Sequence, residues 1–301
     1  MKPEILYLAG PTASGKSAVA LALAESLHGE IINADAFQLY RGLPIVTAQP
    51  MFQEQSTIPH HLYGVLDPVV DSCDVVRYAD LAGEKISEVQ SRGRTPIVTG
   101  GSGLYLKSLT HGISPLPTSD ANLRRELEDI SSEEKVARLK ELDPEGAASM
   151  DLLNDRYVIR ALEICLLTGK PASSLKQDWT TQPPPSFLGI QLVWPREILV
   201  ERIARRTQSM LDQGLIDEIR SLPPLSVNAE KAIGVREIQA YLRGELSLSA
   251  ALELLTIATR QYAKRQSTWF KRESGFKPIM VQPPFNAHDI ARQILSTRNA
   301  V

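Results

Sequence analysis

Lys16 and Ser17 close the segment Gly10-Pro-Thr-Ala-Ser-Gly-Lys-Ser17, whose residue types and spacing suit phosphate chemistry. In a loop of this pattern, successive backbone N–H groups and the start of the following helix attract phosphate oxygens. The lysine adds a mobile positive charge, and the serine hydroxyl can bind Mg²⁺. The candidate phosphate-binding residues are Gly10, Pro11, Thr12, Ala13, Ser14, Gly15, Lys16 and Ser17. The pattern fits many phosphate compounds, with or without phosphoryl transfer.

Asp35 is a second candidate, because it directly follows the apolar run Glu30-Ile-Ile-Asn-Ala34. A carboxylate at the rim of a phosphate site can act as a catalytic base. A surface turn or a helix cap is the more common role for an aspartate that follows a strand. Position alone therefore leaves a purely structural role open for Asp35.

The elements that must position these residues alternate between apolar strands and helical segments. Predicted strands cover residues 5–9, 30–34 and 95–99, and predicted helices cover residues 18–24, 75–89 and 104–109. This alternation predicts an α/β fold, in which a P-loop-type parallel sheet is flanked by helices. Ligands of such sheets bind beyond the carboxyl ends of the strands. Residues 10–17, Asp35 and residues 100–103 should therefore converge in space.

The sequence pattern changes near Ser114-Pro-Leu-Pro117, after which the chain is helical and charged. A stretch rich in proline and threonine follows at residues 180–185. We predict that residues 116–194 form a helical insertion domain, and that residues 1–115 and 195–301 form the α/β core.

The C-terminal third is predicted to be mainly helical. A strand is expected at residues 189–194, and helices are expected at residues 196–220 and 248–271. The tail beyond residue 277 shows no clear pattern.

Composition narrows the class of protein. The net charge is −2 over 301 residues, so binding to nucleic acid would depend on local basic patches. The two cysteines, Cys73 and Cys165, are far apart, which argues against a disulfide framework or a cysteine zinc site. There is no signal-peptide pattern and no apolar run of the ~20 residues that a membrane span needs. We therefore expect a soluble cytoplasmic protein with no membrane attachment.

Further sequence blocks follow the P-loop in order. They are Asn33-Ala-Asp-Ala-Phe-Gln-Leu-Tyr-Arg-Gly42, Thr47-Ala-Gln-Pro50, Pro59-His-His-Leu62 with Asp67-Pro68, Gly100-Gly-Ser-Gly-Leu-Tyr105, Arg160-Ala-Leu-Glu163 and Thr259-Arg-Gln-Tyr-Ala-Lys-Arg-Gln-Ser-Thr-Trp269. In these blocks the chain resembles the tRNA dimethylallyltransferases, also called tRNA isopentenyltransferases, of the bacterial type. Many enzymes share a P-loop, whereas this ordered set is specific.

The resemblance implies transfer of a dimethylallyl group from dimethylallyl diphosphate to N6 of adenosine 37 in tRNAs that read codons beginning with U. The P-loop would then hold the departing diphosphate. Asp35 would be the general base that removes a proton from the amine. Lys16, Mg²⁺ bound to Ser17, and Arg206 would stabilise the diphosphate.

Two further features of the catalytic set come from the same resemblance. Ser102 stands where the family usually has threonine, and it would retain a catalytic hydroxyl near the reacting groups. Without the β-methyl, the side chain is expected to be less restricted. Arg206 matches a family arginine that contacts the diphosphate. Without the resemblance, Arg202, Arg205 and Arg206 would be interpreted as a solvated helix face.

The resemblance also makes the tRNA anticodon stem-loop a partner, with the target base flipped out of its stack. Residues expected to contact tRNA are Asp35, Ala36, Phe37, Gln38, Ser102, Arg124, Arg160, Arg260 and Lys264. Arg260 and Lys264 are four residues apart and share a helix face, with aromatic residues nearby. An amphipathic core helix with a basic outer face explains the same pattern. A monomer is expected by analogy.

Three other functions fit parts of the sequence. An adenylate isopentenyltransferase would use free AMP-type nucleotides, but it needs neither the insertion nor the basic and aromatic block at residues 259–271. A small-molecule kinase would use the P-loop for ATP. A non-catalytic, nucleotide-dependent RNA-binding protein would leave Asp35 dispensable. The resemblance ranks all three below the transferase.

Overall fold

The computed structural model describes residues 4–113, 116–175 and 187–298, and its core is a six-stranded sheet. The strands lie in the order β3-β2-β4-β1-β5-β6. Their bounds are Leu6–Ala9 (β1), Gly29–Asn33 (β2), His60–His61 (β3), Thr95–Gly100 (β4), Leu188–Val193 (β5) and Phe276–Met280 (β6). Each neighbouring pair is parallel, which confirms the predicted α/β fold.

Helices connect the strands and cover the sheet. The helices before β5 are Lys16–Leu27 (α1), Pro44–Thr47 (α2), Phe52–Thr57 (α3), Val75–Ser91 (α4), Gly103–His111 (α5), Ala121–Glu128 (α6), Ser132–Leu142 (α7), Pro144–Ser149 (α8) and Asp155–Thr168 (α9). Those after β5 are Arg196–Asp212 (α10), Leu215–Arg220 (α11), Val235–Leu242 (α12), Leu248–Phe270 (α13) and Ala287–Arg298 (α14). Among the described helices, none combines the length and the apolar character that a bilayer span requires.

Both faces of the sheet are buried, because alternate strand residues pack into two apolar cores. Tyr7 and Val98 belong to the core on one face. Leu6 and Ile97 belong to the core on the other face, where Ile294 of α14 also packs. Coverage by helices on both faces accounts for the burial of every residue of β1, β2 and β4.

The register of the central strands brings three loops to one edge of the sheet. Ala9 at the end of β1 lies opposite Gly100 of β4. Asn33 at the end of β2 lies opposite Thr99 of β4. The P-loop, the Asp35 segment and the Ser102 segment therefore leave neighbouring strands side by side.

Residues His111–Pro184 form a compact unit distinct from Met1–Thr110 and Pro185–Val301. In its described part, α6 and α7 pack against α9, and α7 packs against α8. Leu127, Leu139 and Leu162 are buried in its apolar core. This unit therefore has its own hydrophobic core built only from helices.

The structure places the strand predicted at residues 189–194 in the α/β core. It is β5, and its backbone is hydrogen-bonded to β1 on one side and β6 on the other. Residues 188–193 thus lie in the core sheet, although the predicted insertion extends to residue 194. The proline-rich stretch at residues 180–185 lies outside the described residues.

One prediction for the C-terminal third is wrong, and a stretch without a sequence pattern forms regular structure. The helix predicted over residues 196–220 is interrupted at Gly214, whose φ of +98° is unsuited to a continuous right-handed helix. The tail beyond residue 277, which showed no clear pattern, contains most of β6 and all of α14. Helix α14 packs against α1, the helix that follows the P-loop. The contact with α1 determines which face of α14 is buried. Sequence periodicity alone does not show that contact.

Candidate functional site

The P-loop contains two residues in a left-handed backbone conformation. Ala13 and Gly15 have left-handed φ values of +62° and +87°, and such conformations build concave anion sites from backbone amides. The N–H of Ser14 and the ammonium of Lys16 both donate to the carbonyl of Pro11, at 3.2 and 2.9 Å. The Ser14 hydroxyl is fully buried and has no hydrogen-bond partner among the described residues. The loop therefore retains polar capacity for a ligand.

Three charged side chains share the site at the P-loop. Burial lowers the pKa of Lys16 to about 8, with Asp35 opposing this shift and Arg206 adding to it. Burial raises the pKa of Asp35, and the charge of Lys16 is the main influence that opposes the rise. Burial also lowers the pKa of Arg206, against the attraction of Asp35. Two cations facing one carboxylate leave an excess positive charge that favours an anionic ligand.

The shifted pKa of Lys16 predicts that anion binding depends on pH. A protonated Lys16 attracts the anion, so affinity should be highest below pH 8 and should fall as the pH rises through 8. Calorimetric titration with inorganic pyrophosphate between pH 6.5 and 9.5 should show a loss that approaches tenfold per pH unit. Lys16→Arg is the matched control, because arginine stays charged and any ionisation of pyrophosphate affects both proteins equally. Parallel curves for the two proteins would contradict the prediction.

Asp35 is held by the turn that follows β2. The buried side chain of Asn33 accepts the N–H of Asp35 at 2.8 Å and donates to the carbonyls of Asp35 and Leu62, both at 3.0 Å. The carboxylate of Asp35 accepts the N–H of Phe37 at 3.1 Å. These contacts fix the backbone around Asp35 and direct its carboxylate in a way that suits a catalytic group.

Ser102 connects the Asp35 segment to helix α13. Its hydroxyl oxygen accepts the N–H of Ala36 at 3.0 Å. The Ser102 hydroxyl is also hydrogen-bonded to the side chain of Tyr262. Burial raises the pKa of the Tyr262 phenol. Two partners therefore orient the Ser102 hydroxyl, which offsets the freedom expected from the missing threonine methyl group.

Gln266 is a buried residue that the sequence analysis did not identify. Its side-chain oxygen accepts the N–H of Thr12 at 2.8 Å, and its amide group donates to the carbonyl of Gly101 at 3.1 Å. A Cβ atom at Gly101 would lie 2.0 Å from the Gln266 amide nitrogen, so this approach requires glycine. Tyr262, Gln266 and Trp269 lie at spacings of four and three residues, which places them on one face of α13. That spacing is the signal that could have indicated this contact.

Two adjoining cavities meet at Arg206. One opens over the P-loop, and the charged and hydroxyl side chains that line it are Lys16, Ser17, Glu54, Arg202, Arg205 and Arg206. The other lies beside Asp35 and has a wall of mixed polarity. Its apolar side chains are Phe37, Val46, Ile203, Met210, Ile233 and Leu255, and its polar side chains are Thr12, Asp35, Thr47, Arg206, Thr207, Thr259 and Tyr262. A ligand with an anionic head and a short apolar group would find positive charge in the first cavity and apolar side chains in the second.

The structure gives positions for four of the residues that are predicted to contact nucleic acid. Phe37 lines the cavity beside Asp35. The Gln38 amide donates to the carbonyls of Thr47 and Ala48 at 2.9 and 2.8 Å. Arg260 and Lys264 are exposed on α13. The structure therefore leaves these two cations accessible, while Gln38 is engaged with the end of α2.

Arg124 and Arg160 both lie beside the buried carboxylate of Glu163 in the helical unit. Arg160 is 2.7 Å and Arg124 is 3.6 Å from the same Glu163 oxygen. Ser119 and the N–H of Asp120 also donate to Glu163, at 2.5 and 2.8 Å. Burial by itself raises the pKa of Glu163, but these hydrogen bonds and charges outweigh burial and lower it. Both arginines are oriented by this carboxylate.

Glu163→Gln is expected to destabilise the protein, because it removes the charge that two arginines surround. The loss should be about 2 kcal/mol at pH 7 in urea unfolding followed by circular dichroism. The lowered pKa means that this stabilisation is present above the unfolded value of about 4.3 and disappears as the pH falls toward the folded value. Glu134→Gln, in the exposed pair with Arg138, is the control and should change stability by less than about 0.5 kcal/mol. Equal effects of the two variants would refute the argument.

Ser17 is the residue that the sequence predicts as a ligand of Mg²⁺. It is exposed in the first turn of α1 and lines the cavity over the P-loop. Mg²⁺ prefers oxygen ligands and usually keeps several waters beside one or two protein groups and the phosphates of a substrate. One hydroxyl at the mouth of an anion site fits that chemistry.

Sequence comparison shows similarity along nearly the whole chain. The profile of the IPP transferase family matches residues 38–273. The chain is 45% identical over 292 residues to the tRNA dimethylallyltransferase of Akkermansia muciniphila, covering 96% of this chain and 98% of that protein. It is 42% identical over 282 residues to the tRNA dimethylallyltransferase of Geobacter metallireducens, covering 91% of each.

Solved structures show the same similarity in three dimensions. The tRNA isopentenylpyrophosphate transferase of Bacillus halodurans superposes with a TM-score of 0.70 at 34% identity, covering 99% of this chain and 98% of that one. A eukaryotic dimethylallyltransferase acting on tRNA superposes with a TM-score of 0.77 at 27% identity, covering 99% of this chain and 78% of that one. The fold and the sequence therefore point to the same group of proteins.

Proposed function

Because this chain belongs to the IPP transferase family, we propose that it transfers a dimethylallyl group from dimethylallyl diphosphate to a tRNA. The finer proposal is transfer to N6 of adenosine 37, beside the anticodon, in tRNAs that read codons beginning with U. The observation that carries the proposal is the pair of cavities that meet at Arg206. The positively charged cavity suits a diphosphate, and the cavity of mixed polarity beside Asp35 offers apolar side chains to a five-carbon chain and both apolar and polar groups to an adenine ring.

In the proposed reaction, the adenine amine attacks the first carbon of the allyl group. The new C–N bond forms as the bond between that carbon and the diphosphate oxygen breaks, and the diphosphate leaves with the bonding electrons. The amine must lose one proton, which passes to the carboxylate of Asp35. Burial disfavours the charged form of Asp35, so the carboxylate gains from accepting this proton.

The departing diphosphate is the main charge that the site must stabilise. Lys16 and Arg206 supply positive charge in a poorly solvated cavity, where charge interactions are stronger than in water. The N–H groups of the P-loop add fixed dipoles. Ser17 would hold Mg²⁺, which when bound neutralises part of the diphosphate charge.

The tRNA would meet the protein at the Asp35 segment, at Ser102 and at exposed basic side chains. Arg260 and Lys264 are accessible on α13, and Arg124 and Arg160 are candidate phosphate contacts in the helical unit. Phosphate contacts of this kind position RNA without reading its sequence. We also propose that the protein acts as a cytoplasmic monomer.

The proposal is tested with purified protein, Mg²⁺, dimethylallyl diphosphate and unmodified tRNA that reads codons beginning with U. Digestion and mass spectrometry should detect N6-dimethylallyladenosine at one position beside the anticodon. AMP alone and ATP alone serve as parallel substrates. Prenylated AMP would instead indicate an adenylate isopentenyltransferase. Formation of ADP without any prenylated product would indicate a kinase, and tRNA binding without any product would indicate a non-catalytic RNA-binding protein.

A further inference from the structure

Two backbone carbonyls of the P-loop are held by side chains from two distant segments. The indole N–H of Trp194, just after β5, donates to the carbonyl of Ser14 at 2.8 Å. The Nε–H of Arg202, on α10, donates to the carbonyl of Ala13 at the same distance. Two consecutive carbonyls of the loop are therefore fixed by donors outside it.

The Arg202 guanidinium lies over two neighbouring aromatic rings. Its central carbon lies 4.4 Å from the ring centroid of Trp194 and 5.0 Å from that of Phe285. The two ring centroids are 5.8 Å apart. A cation held against two rings in this way loses little further freedom when it donates a hydrogen bond. Arg202 is therefore not a solvated residue, although the run of arginines around it in the sequence predicts one.

Phe285 also contacts the P-loop directly. A Cβ atom built on Gly15 would lie 2.5 Å from the Phe285 ring, so the ring rests against the α-carbon of Gly15. Gly15 has a positive φ of 87° and is the last residue before α1. The three side chains together contact Ala13, Ser14 and Gly15.

We propose that Trp194, Arg202 and Phe285 form a positioning clamp that holds the P-loop ready for a diphosphate. In a trans peptide the carbonyl and the N–H point in opposite directions. Trp194 fixes the Ser14 carbonyl, so the N–H of Gly15 in the same peptide is held pointing away from Trp194, and Gly15 lines the cavity over the P-loop. The clamp thereby fixes the direction of the Gly15 N–H before the diphosphate binds, so that binding does not have to order this donor. The role in catalysis rests on the proposed function, whereas the role in anion binding does not.

The clamp predicts a selective loss of affinity for the diphosphate. Trp194→Phe keeps an aromatic ring but removes the donor, and Arg202→Gln removes the cation that lies over the two rings. Each should raise the dissociation constant for inorganic pyrophosphate and the KM for dimethylallyl diphosphate by about tenfold. The KM for tRNA should stay within about twofold of the wild type. A smaller folded fraction would lower kcat without raising the donor KM, so this comparison separates positioning from general damage.

Arg196→Gln is the matched control, since it removes the same charge from the same helix. Arg196 is exposed at the start of α10 and does not line the cavity over the P-loop. Its replacement should change pyrophosphate affinity by less than about threefold, because the charge is screened. Equal losses in Arg202→Gln and Arg196→Gln would overturn the clamp in favour of a simple charge effect.

Conservative variants give a second, independent check. Arg202→Lys keeps the charge but not the planar fork, and it should lose nearly as much affinity as Arg202→Gln. Phe285→Tyr keeps the ring and should bind like the wild type, whereas Phe285→Ala should not. Full affinity in Arg202→Lys would overturn the clamp. Wild-type protein that binds pyrophosphate but makes no prenylated tRNA would instead refute the proposed function, and pyrophosphate affinities would still decide on the clamp.

Discussion

Asp35→Asn is expected to lower kcat by about 10³-fold, because it removes the group that accepts the proton of the amine. The amide keeps the size of the side chain and can still accept the N–H of Phe37, so the fold should be unaffected. The measurement is single-turnover formation of dimethylallyladenosine with saturating dimethylallyl diphosphate and tRNA. A decrease of less than tenfold would show that another group accepts the proton.

Pyrophosphate binding supplies the control for this variant. Asp35 carries a negative charge close to Lys16 and Arg206, so its removal should leave anion affinity equal or higher. The same change removes a charge that raises the pKa of Lys16. The comparison should therefore be made at pH 6.5, where Lys16 remains protonated in both proteins. Lost pyrophosphate affinity at that pH would indicate a damaged site and not a missing base.

Lys16→Met is expected to lower kcat/KM for dimethylallyl diphosphate by about 10³-fold at pH 7. The change removes a buried cation from the position where negative charge grows as the diphosphate departs. The expected loss corresponds to about 4 kcal/mol of transition-state stabilisation. Initial rates at varied donor and saturating tRNA give this quantity directly.

Lys85→Met is the matched control for that variant. Lys85 lies on α4, where it pairs with Glu88 at 2.9 Å. It should retain the wild-type kcat/KM, because surface pairs of this kind contribute little. A similar loss in both variants would mean that the effect of Lys16→Met is not specific to the diphosphate site.

Local sequence patterns were sufficient where neighbours along the chain determine the structure. The order of strand, glycine loop and helix predicted that residues 10–15 connect β1 to α1, because each of these elements is indicated by its own local residues. Alternating strands and helices predicted the parallel sheet. Asp35 could be placed at the sheet edge because it directly follows an apolar strand.

Long-range contacts were beyond these patterns. Gln266 is one polar residue in a helix of mixed composition, and its importance depends on how α13 packs over Gly101. Arg202 is close to other charged residues in sequence, yet its guanidinium lies over the rings of Trp194 and Phe285. Phe285 lies in a tail whose elements are stabilised by packing against β5 and α1. In each case tertiary packing decides the role, and residue type alone does not.

The contacts of Gln266 and Phe285 with the P-loop have a consequence for synthesis on the ribosome. The loop leaves the ribosome early, but these two partners are added roughly 250 residues later, on the order of 10 to 60 s at usual elongation rates. During that interval the N–H of Thr12 lacks its acceptor and Gly15 lacks its supporting ring. A nascent chain therefore cannot present a finished diphosphate site, and it should not retain a prenyl donor while translation continues. The ability to bind the prenyl donor would arise late and abruptly, when the P-loop first contacts the segments that carry Gln266 and Phe285.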